Sequence, residues 1–166
     1  METKGELVRD FDRAASGLDR LLAGCTERDA GIRCGADSRT VVAVANHVAE
    51  WLALLASVTS NLASGSAWPM TDEVVREIDA GFAKATAGRT IAQTRIRFRS
   101  AVAKTHWALR SLQPDELNAV VTPGSVLVGT FLRRWACDHV DEHAATIRAA
   151  LLAAPRPRWI IDSHLP

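Results

Sequence analysis

Apolar residues recur at helical spacing along most of this chain, whereas alternation of the kind found in strands is nearly absent. Between residues 7 and 22 they fall at three- and four-residue steps, the period of one face of an α-helix. The same period predicts long helices over about residues 4–23, 39–63, 91–112 and 126–153, and a shorter one over about 74–85. We therefore predict an all-α fold, a four-helix bundle with a short extra helix between its second and third long helices.

The connecting segments contain residues that can begin helices. Asp37 or Ser38 can cap the second long helix by accepting a hydrogen bond from a free amide of its first turn, and Thr71 or Asp72 can begin the short one. The third long stretch carries basic side chains between its apolar positions, which we interpret as a solvated face. These are Arg95, Arg97, Arg99, Lys104 and Arg110.

Length and composition limit the classes of protein to consider. A chain of 166 residues with 48% hydrophobic residues predicts a single domain, residues 1–166, with one core. Its 20 basic and 19 acidic residues give a formal net charge of +1, so we expect it to bind neither nucleic acid nor an anionic membrane. The most apolar stretch, residues 41–58, is interrupted by Asn46, His47 and Glu50, which argues against a membrane span.

The beginning of the sequence and the cysteines predict a cytoplasmic protein. Charged residues start at position 2 and no apolar core of a secretory signal follows. The three cysteines form no CxxC pair, so neither a disulfide framework nor a zinc knuckle is indicated. Cys25 and Cys34 flank a loop and could form a redox pair, the alternative being two ordinary side chains. The third is Cys137.

Two histidines lie at the centre of the apolar stripe of the fourth long helix. His139 and His143 are one turn apart, so both imidazoles project from one face at a separation that a single metal ion can bridge. The segment reads His139-Val-Asp-Glu-His143, so the position directly after the first histidine lacks the glutamate of an HExxH zinc protease. Burying an imidazole without a partner costs about 1–3 kcal/mol, which a divalent cation would offset, as would hydrogen bonds to backbone carbonyls or water.

His47 lies at the margin of the apolar stripe of the second long helix, beside Trp51. By itself it is typical of a histidine at the edge of a core, but adjacent helices of a bundle can direct one and two ligands to a common centre. His106 and His164 have no partner at metal spacing, and Cys137 projects away from the histidine face. Trp51 and Trp135 could form apolar walls near a metal or simply pack in the core.

Two short segments resemble a known family, the DinB-like proteins. Thr40-Val41 followed by His47-Val48-Ala49-Glu50-Trp51 resembles that family's TV(x)5HLxxW segment, and the stretch from Asp138 to Arg148 resembles its HxxxHxxxIR segment. The resemblance implies a four-helix bundle in which His47, His139 and His143 bind a divalent metal ion, zinc or nickel, and it implies a homodimer. Arg39, where many relatives have Trp, and Asn46, at a usually apolar position, depart from the family pattern.

The relatives include thiol transferases that use mycothiol or bacillithiol, and mycothiol-dependent maleylpyruvate isomerases. The resemblance thus implies a small-molecule thiol and an electrophile as partners, and the Ala- and Arg-rich composition favours mycothiol as cosubstrate. One hypothesis is an enzyme whose metal ion lowers the pKa of a bound thiol or water. The others are a non-catalytic metal-binding or stress- or damage-response module, and a purely structural bundle.

Carboxylates are expected to orient the metal-binding imidazoles. Glu50, Asp138 and Glu142 are the nearest in sequence, but none projects toward the predicted site, so no general acid or base is assigned.

Overall fold

The computed structural model describes residues 3–35, 39–63, 71–121 and 126–155. Long helices dominate it, and the predicted all-α class is confirmed. A short helix, α4, lies between the second and third long helices, as predicted. The elements used below are α1 (Lys4–Ala23), α2 (Glu27–Ala30), α3 (Val41–Ala63), α4 (Asp72–Thr86), α5 (Ile91–Ser111), α6 (Val128–Leu132), a π-helical segment (Arg133–Asp138) and α7 (His139–Ala153).

Side-chain caps fix the starts of several helices. Thr3 caps α1 in a capping box with Glu6, because each side chain bonds a backbone amide that the helix leaves free. The predicted start of the short helix is confirmed, since the Thr71 hydroxyl accepts a hydrogen bond from the amide of Val74. The predicted caps Asp37 and Ser38 lie outside the described residues.

Two short β-ladders replace helix at two predicted helix starts. Strand β1 (Arg33–Cys34) pairs antiparallel with β2 (Arg39–Thr40), and β3 (Val120–Val121) pairs antiparallel with β4 (Val126–Leu127). The predicted starts at residues 39 and 126 are therefore wrong by two residues each. In both places the backbone groups bond across a hairpin, and the helix begins only when that pairing ends.

Helix α3 provides the centre of the core. It packs along α5 and against α7, and Val44, Val48 and Leu52 are completely buried. Helix α1 packs on α5 and α7 from the other side. By length and composition the stretch Val41–Leu62 could cross a membrane, but half of it is buried inside the protein, and core helices of soluble proteins meet the same criterion.

The basic face of α5 is only partly solvated. Arg95 and Arg99 both donate to the carboxylate of Asp19 on α1. Arg97 donates through Nε and Nη2 to Glu50 on α3, at 3.0 and 2.6 Å. Arg99 is exposed, as a solvated face predicts, whereas Arg95 and Arg97 are only about one-third exposed, and all three link α5 to a neighbouring helix.

Candidate metal centre

The structure brings together the three histidines that the sequence singles out. His47 lies in the first half of α3, His139 is the first residue of α7, and His143 follows one turn later. Their ring centroids are 5.1 Å apart for His47 and His139, 4.9 Å for His47 and His143, and 4.5 Å for His139 and His143. One ring nitrogen from each lies within 4.8 Å of the other two. This arrangement could hold one metal ion.

The surroundings of His139 support that interpretation. Its Nε2 atom is buried and has no hydrogen-bond partner among the described residues. Burial, with a smaller contribution from the neighbouring His143 and His47, lowers the pKa of His139 to about 2. The ring is therefore neutral at physiological pH, the form in which imidazole binds metals. A buried nitrogen without a partner is rare in folded proteins, and a divalent cation at this position would satisfy it.

A carboxylate on the short helix contacts His47. Asp79 Oδ1 lies 3.1 Å from His47 Nδ1 and accepts a hydrogen bond of 2.7 Å from Trp51 Nε1. Of the carboxylates nearest in sequence, Glu50 binds arginines and Glu142 binds Arg134. The sequence did not point to Asp79, because it lies 32 residues after His47 and the two meet only through the packing of α4 on α3. An acidic side chain on the short amphipathic helix was the available signal.

Aromatic rings cover one side of the histidine group. The Trp51 and Trp135 rings stack with centroids 5.4 Å apart, and the Trp135 ring lies 5.6 Å from that of His139. Phe82 of α4 meets Trp51 edge-on at 5.7 Å. The two tryptophans pack on each other, and Trp135 also lies against His139. Packing in the core and forming an apolar wall beside the histidine group are therefore both properties of this pair.

A cavity of about 640 Å³ reaches His47 between α3 and α4. Its lining includes His47, Asp79 and Arg89, together with Arg39 and Asn46, the two positions that depart from the family pattern. Arg89 donates to Glu50 at 2.7 Å and to Asn46 at 3.3 Å, so buried groups of α3 hold its guanidinium. The cavity is large enough for a small polar molecule to lie beside His47.

The other candidate residues lie elsewhere. His106 Nδ1 is 2.7 Å from Asp12 Oδ1, in a groove between α1 and α5. The buried Cys137 thiol donates to the carbonyl oxygen of Leu7 at 3.8 Å. Cys25 and Cys34 are not joined in a disulfide, and burial raises the pKa of Cys25. His164 lies outside the described residues.

The helix that carries His139 and His143 is not regular. Residues Arg133–Asp138 form a π-helical segment directly before His139, where we predicted continuous α-helix. Such wide turns are uncommon and often occur at functional sites. The segment sets the direction in which α7 leaves α6, and with it the position of both histidines.

The fold and the site define a helical-bundle protein with a three-histidine pocket. The model of the DinB superfamily matches residues 10–147. The chain belongs to the DinB superfamily, as its two sequence segments predicted. No curated protein matches it.

Solved structures share the fold at low sequence identity. The colibactin self-resistance protein ClbS, crystallised with double-stranded DNA, is 12% identical with a TM-score of 0.78 over 93% of this chain and 99% of its own. The sibling lethal factor precursor DfsB is 17% identical, with a TM-score of 0.74 over 90% and 95%. The mycothiol-dependent maleylpyruvate isomerase is 18% identical, with a TM-score of 0.69 over 89% of this chain and 63% of its own.

The ClbS complex overturns one expectation. We excluded nucleic acid as a partner from the net charge of +1, and that exclusion is wrong, because a protein of this fold has been crystallised with double-stranded DNA. Net charge sums the whole surface, whereas phosphate binding depends on where the basic side chains cluster.

Proposed function

We propose that this protein binds one divalent metal ion through His47, His139 and His143 and transfers a low-molecular-weight thiol to small electrophiles. The observation that carries the proposal is the buried, unpaired Nε2 of His139 within a group of three ring nitrogens that lie within 4.8 Å of one another. Neutral imidazole suits both zinc and nickel, so either metal is consistent with this ligand set.

Three histidine ligands would leave coordination positions for a substrate. A metal ion held there would lower the pKa of a bound thiol, so that the thiolate is available near neutral pH. The fold shared with a mycothiol-dependent isomerase supports mycothiol as the cosubstrate.

The protein's own residues have distinct parts in this proposal. Desolvation keeps the His139 ring neutral, and the Trp51–Trp135 stack excludes water from one side of the group. The cavity beside His47 would admit the thiol and the electrophile, with Arg39 and Asn46 among the polar groups they meet. We assign none of the described residues as general acid or base.

Metal content tests the binding part of the proposal. Protein purified without an affinity tag should contain about one zinc or nickel ion per chain by elemental analysis, in line with a single three-histidine site. His47→Ala and His143→Ala should lose it, and His106→Ala, which removes a histidine remote from the group, should keep it. Wild-type protein that stays metal-free after incubation with both metals would refute the proposal.

Thiol consumption tests the catalytic part. We expect the metal-loaded protein to accelerate the reaction of mycothiol with an activated alkene, and the chelated protein to have no effect. Bacillithiol in a parallel reaction identifies the preferred thiol. Metal binding without turnover for either thiol would favour a non-catalytic module.

The second candidate function is such a module, a resistance or damage-response protein that binds nucleic acid. The ClbS fold and one surface of this chain favour it. Helix α5 carries five basic residues and no acidic one. On its outer side Trp107 is 72% exposed, with exposed Lys104 and Arg110 within one turn of it. Basic side chains beside an exposed aromatic ring suit phosphates and bases.

Fluorescence polarisation with a labelled DNA duplex tests the second candidate. Binding should weaken as salt rises, and Lys104→Glu with Arg110→Glu should reduce affinity at least about tenfold, because two phosphate contacts become repulsive. Arg76→Glu with Lys84→Glu, an equal change of charge at two exposed positions of α4, is the control. Equal affinities for the double variant and the control would remove α5 as the contact surface.

A further inference from the structure

Asp79 is shared between the histidine group and the tryptophan wall. One oxygen, Oδ1, meets both His47 Nδ1 at 3.1 Å and Trp51 Nε1 at 2.7 Å. His47 and Trp51 are one turn apart on α3, so the two donors point from the same face toward α4. The side chain of His47 is 11% exposed and that of Asp79 is 37% exposed.

This contact has a chemical consequence for His47. A neutral imidazole carries one proton, and an ionised carboxylate accepts hydrogen bonds but cannot donate one. In the neutral form of His47, this geometry therefore favours the proton on Nδ1 and the lone pair on Nε2. An imidazole whose second nitrogen donates to a carboxylate is also a more basic ligand with a fixed ring orientation.

The contact also has a consequence for α4. Thr86 is the only buried residue of this helix, and its apolar residues Val74, Val75, Ile78 and Phe82 are only half-buried. Besides Asp79, the edge-on contact of Phe82 with Trp51 joins α4 to this part of α3. Since Asp79 and Phe82 both line the cavity beside His47, the position of the cavity wall depends on the same few contacts.

We propose that Asp79 is a positioning residue that holds His47 in its Nδ1-protonated tautomer and thereby ties α4, the cavity wall, to the histidine group. The part of this inference that concerns metal affinity rests on the proposed function. The tautomer and the docking of α4 do not, because both are properties of the metal-free protein.

The tautomer can be measured without metal. Long-range ¹H–¹⁵N correlation spectra of chelated wild-type protein at pH 8 should show His47 protonated at Nδ1 and unprotonated at Nε2. In Asp79→Asn the spectra should show a mixture of tautomers, with a shifted Trp51 indole proton. Hydrogen exchange of the α4 amides should also become faster. A wild-type His47 protonated at Nε2, or an unchanged tautomer in Asp79→Asn, would overturn the inference.

Metal affinity supplies the second measurement. Asp79→Asn should weaken zinc binding about 10- to 100-fold, the usual effect of removing such a partner. Glu77→Gln removes the same charge from an exposed position of α4 and should leave affinity unchanged. Equal affinities for the two variants would refute the role in metal binding. Wild-type protein with affinity for neither zinc nor nickel would instead refute the proposed function, and the tautomer measurement would still decide the role of Asp79.

Discussion

His139 places a neutral imidazole inside the bundle, with one nitrogen that no described group satisfies. If metal binding is the reason for this arrangement, the metal-free protein should gain nothing from the ring. We predict that His139→Leu leaves the unfolding free energy of chelated protein unchanged or raises it by up to about 1 kcal/mol, because an apolar group of similar size removes the unpaired atom. The same variant should bind no metal. Urea denaturation with chelator, with His106→Ala as comparison, measures the change, and a loss above about 1 kcal/mol would indicate a structural histidine.

The depressed pKa of His139 predicts a pH dependence of stability in the metal-free protein. The unfolded chain takes up a proton on this residue near pH 6.5, whereas in the folded chain burial lowers the pKa to about 2. Between these values the unfolded state binds more protons, so stability is lost as the pH falls below 6.5. From pH 7.5 to 5.0 we expect a loss of about 2 kcal/mol from this residue. Urea midpoints should show a smaller loss for His139→Leu, and equal losses would contradict the assignment.

At the scale of elements, Glu50 joins α3 to α5 and to the segment before α5. Its side chain is 11% exposed, and its carboxylate accepts hydrogen bonds from Arg97 and Arg89. Arg97 first, and Arg89 in addition, hold the pKa of Glu50 below its ordinary value. Removing this charge would leave the two arginines without their anionic partner. Because the Glu50 side chain is largely shielded from water, solvent would replace that partner only in part.

We predict that Glu50→Gln lowers the unfolding free energy by about 1–3 kcal/mol, less than for a fully buried pair because each arginine is about one-third exposed. Asp19→Asn is the matched comparison, since Asp19 also binds two arginines but one of them, Arg99, is 59% exposed. Its loss should stay below about 1 kcal/mol. Chemical denaturation of both variants at pH 7 makes the comparison. Equal losses would mean that burial does not strengthen the Glu50 contacts.

At the scale of the whole molecule, sequence periodicity was sufficient to predict the long helices, but not the complete set of residues that meet at the site. Periodicity placed His139 and His143 on one helix face and left His47 at the edge of another, and the resemblance to the DinB-like segments implied that the three bind one metal ion, so these three residues could be named in advance. Asp79 could not, because its partner depends on how α4 lies across α3. The π-helical turn before His139 has no pattern that single-sequence periodicity detects. The β-ladders are two residues long, too short for alternation to show.

The site joins helices that are far apart in sequence, and this predicts how metal should act on the fold. His47 belongs to α3 and the other two histidines to α7, so a bound ion would cross-link the central helix to the last one. The unfolded chain cannot hold the three ligands together, and binding therefore favours the folded state by mass action. At a free zinc concentration 100 times the dissociation constant, we expect about 2.7 kcal/mol of added stability. Scanning calorimetry should record it as a rise of roughly 5–10 °C in Tm. The rise should vanish in His143→Ala and persist in His106→Ala. Stabilisation of equal size in both variants would show that zinc binds outside the three-histidine group.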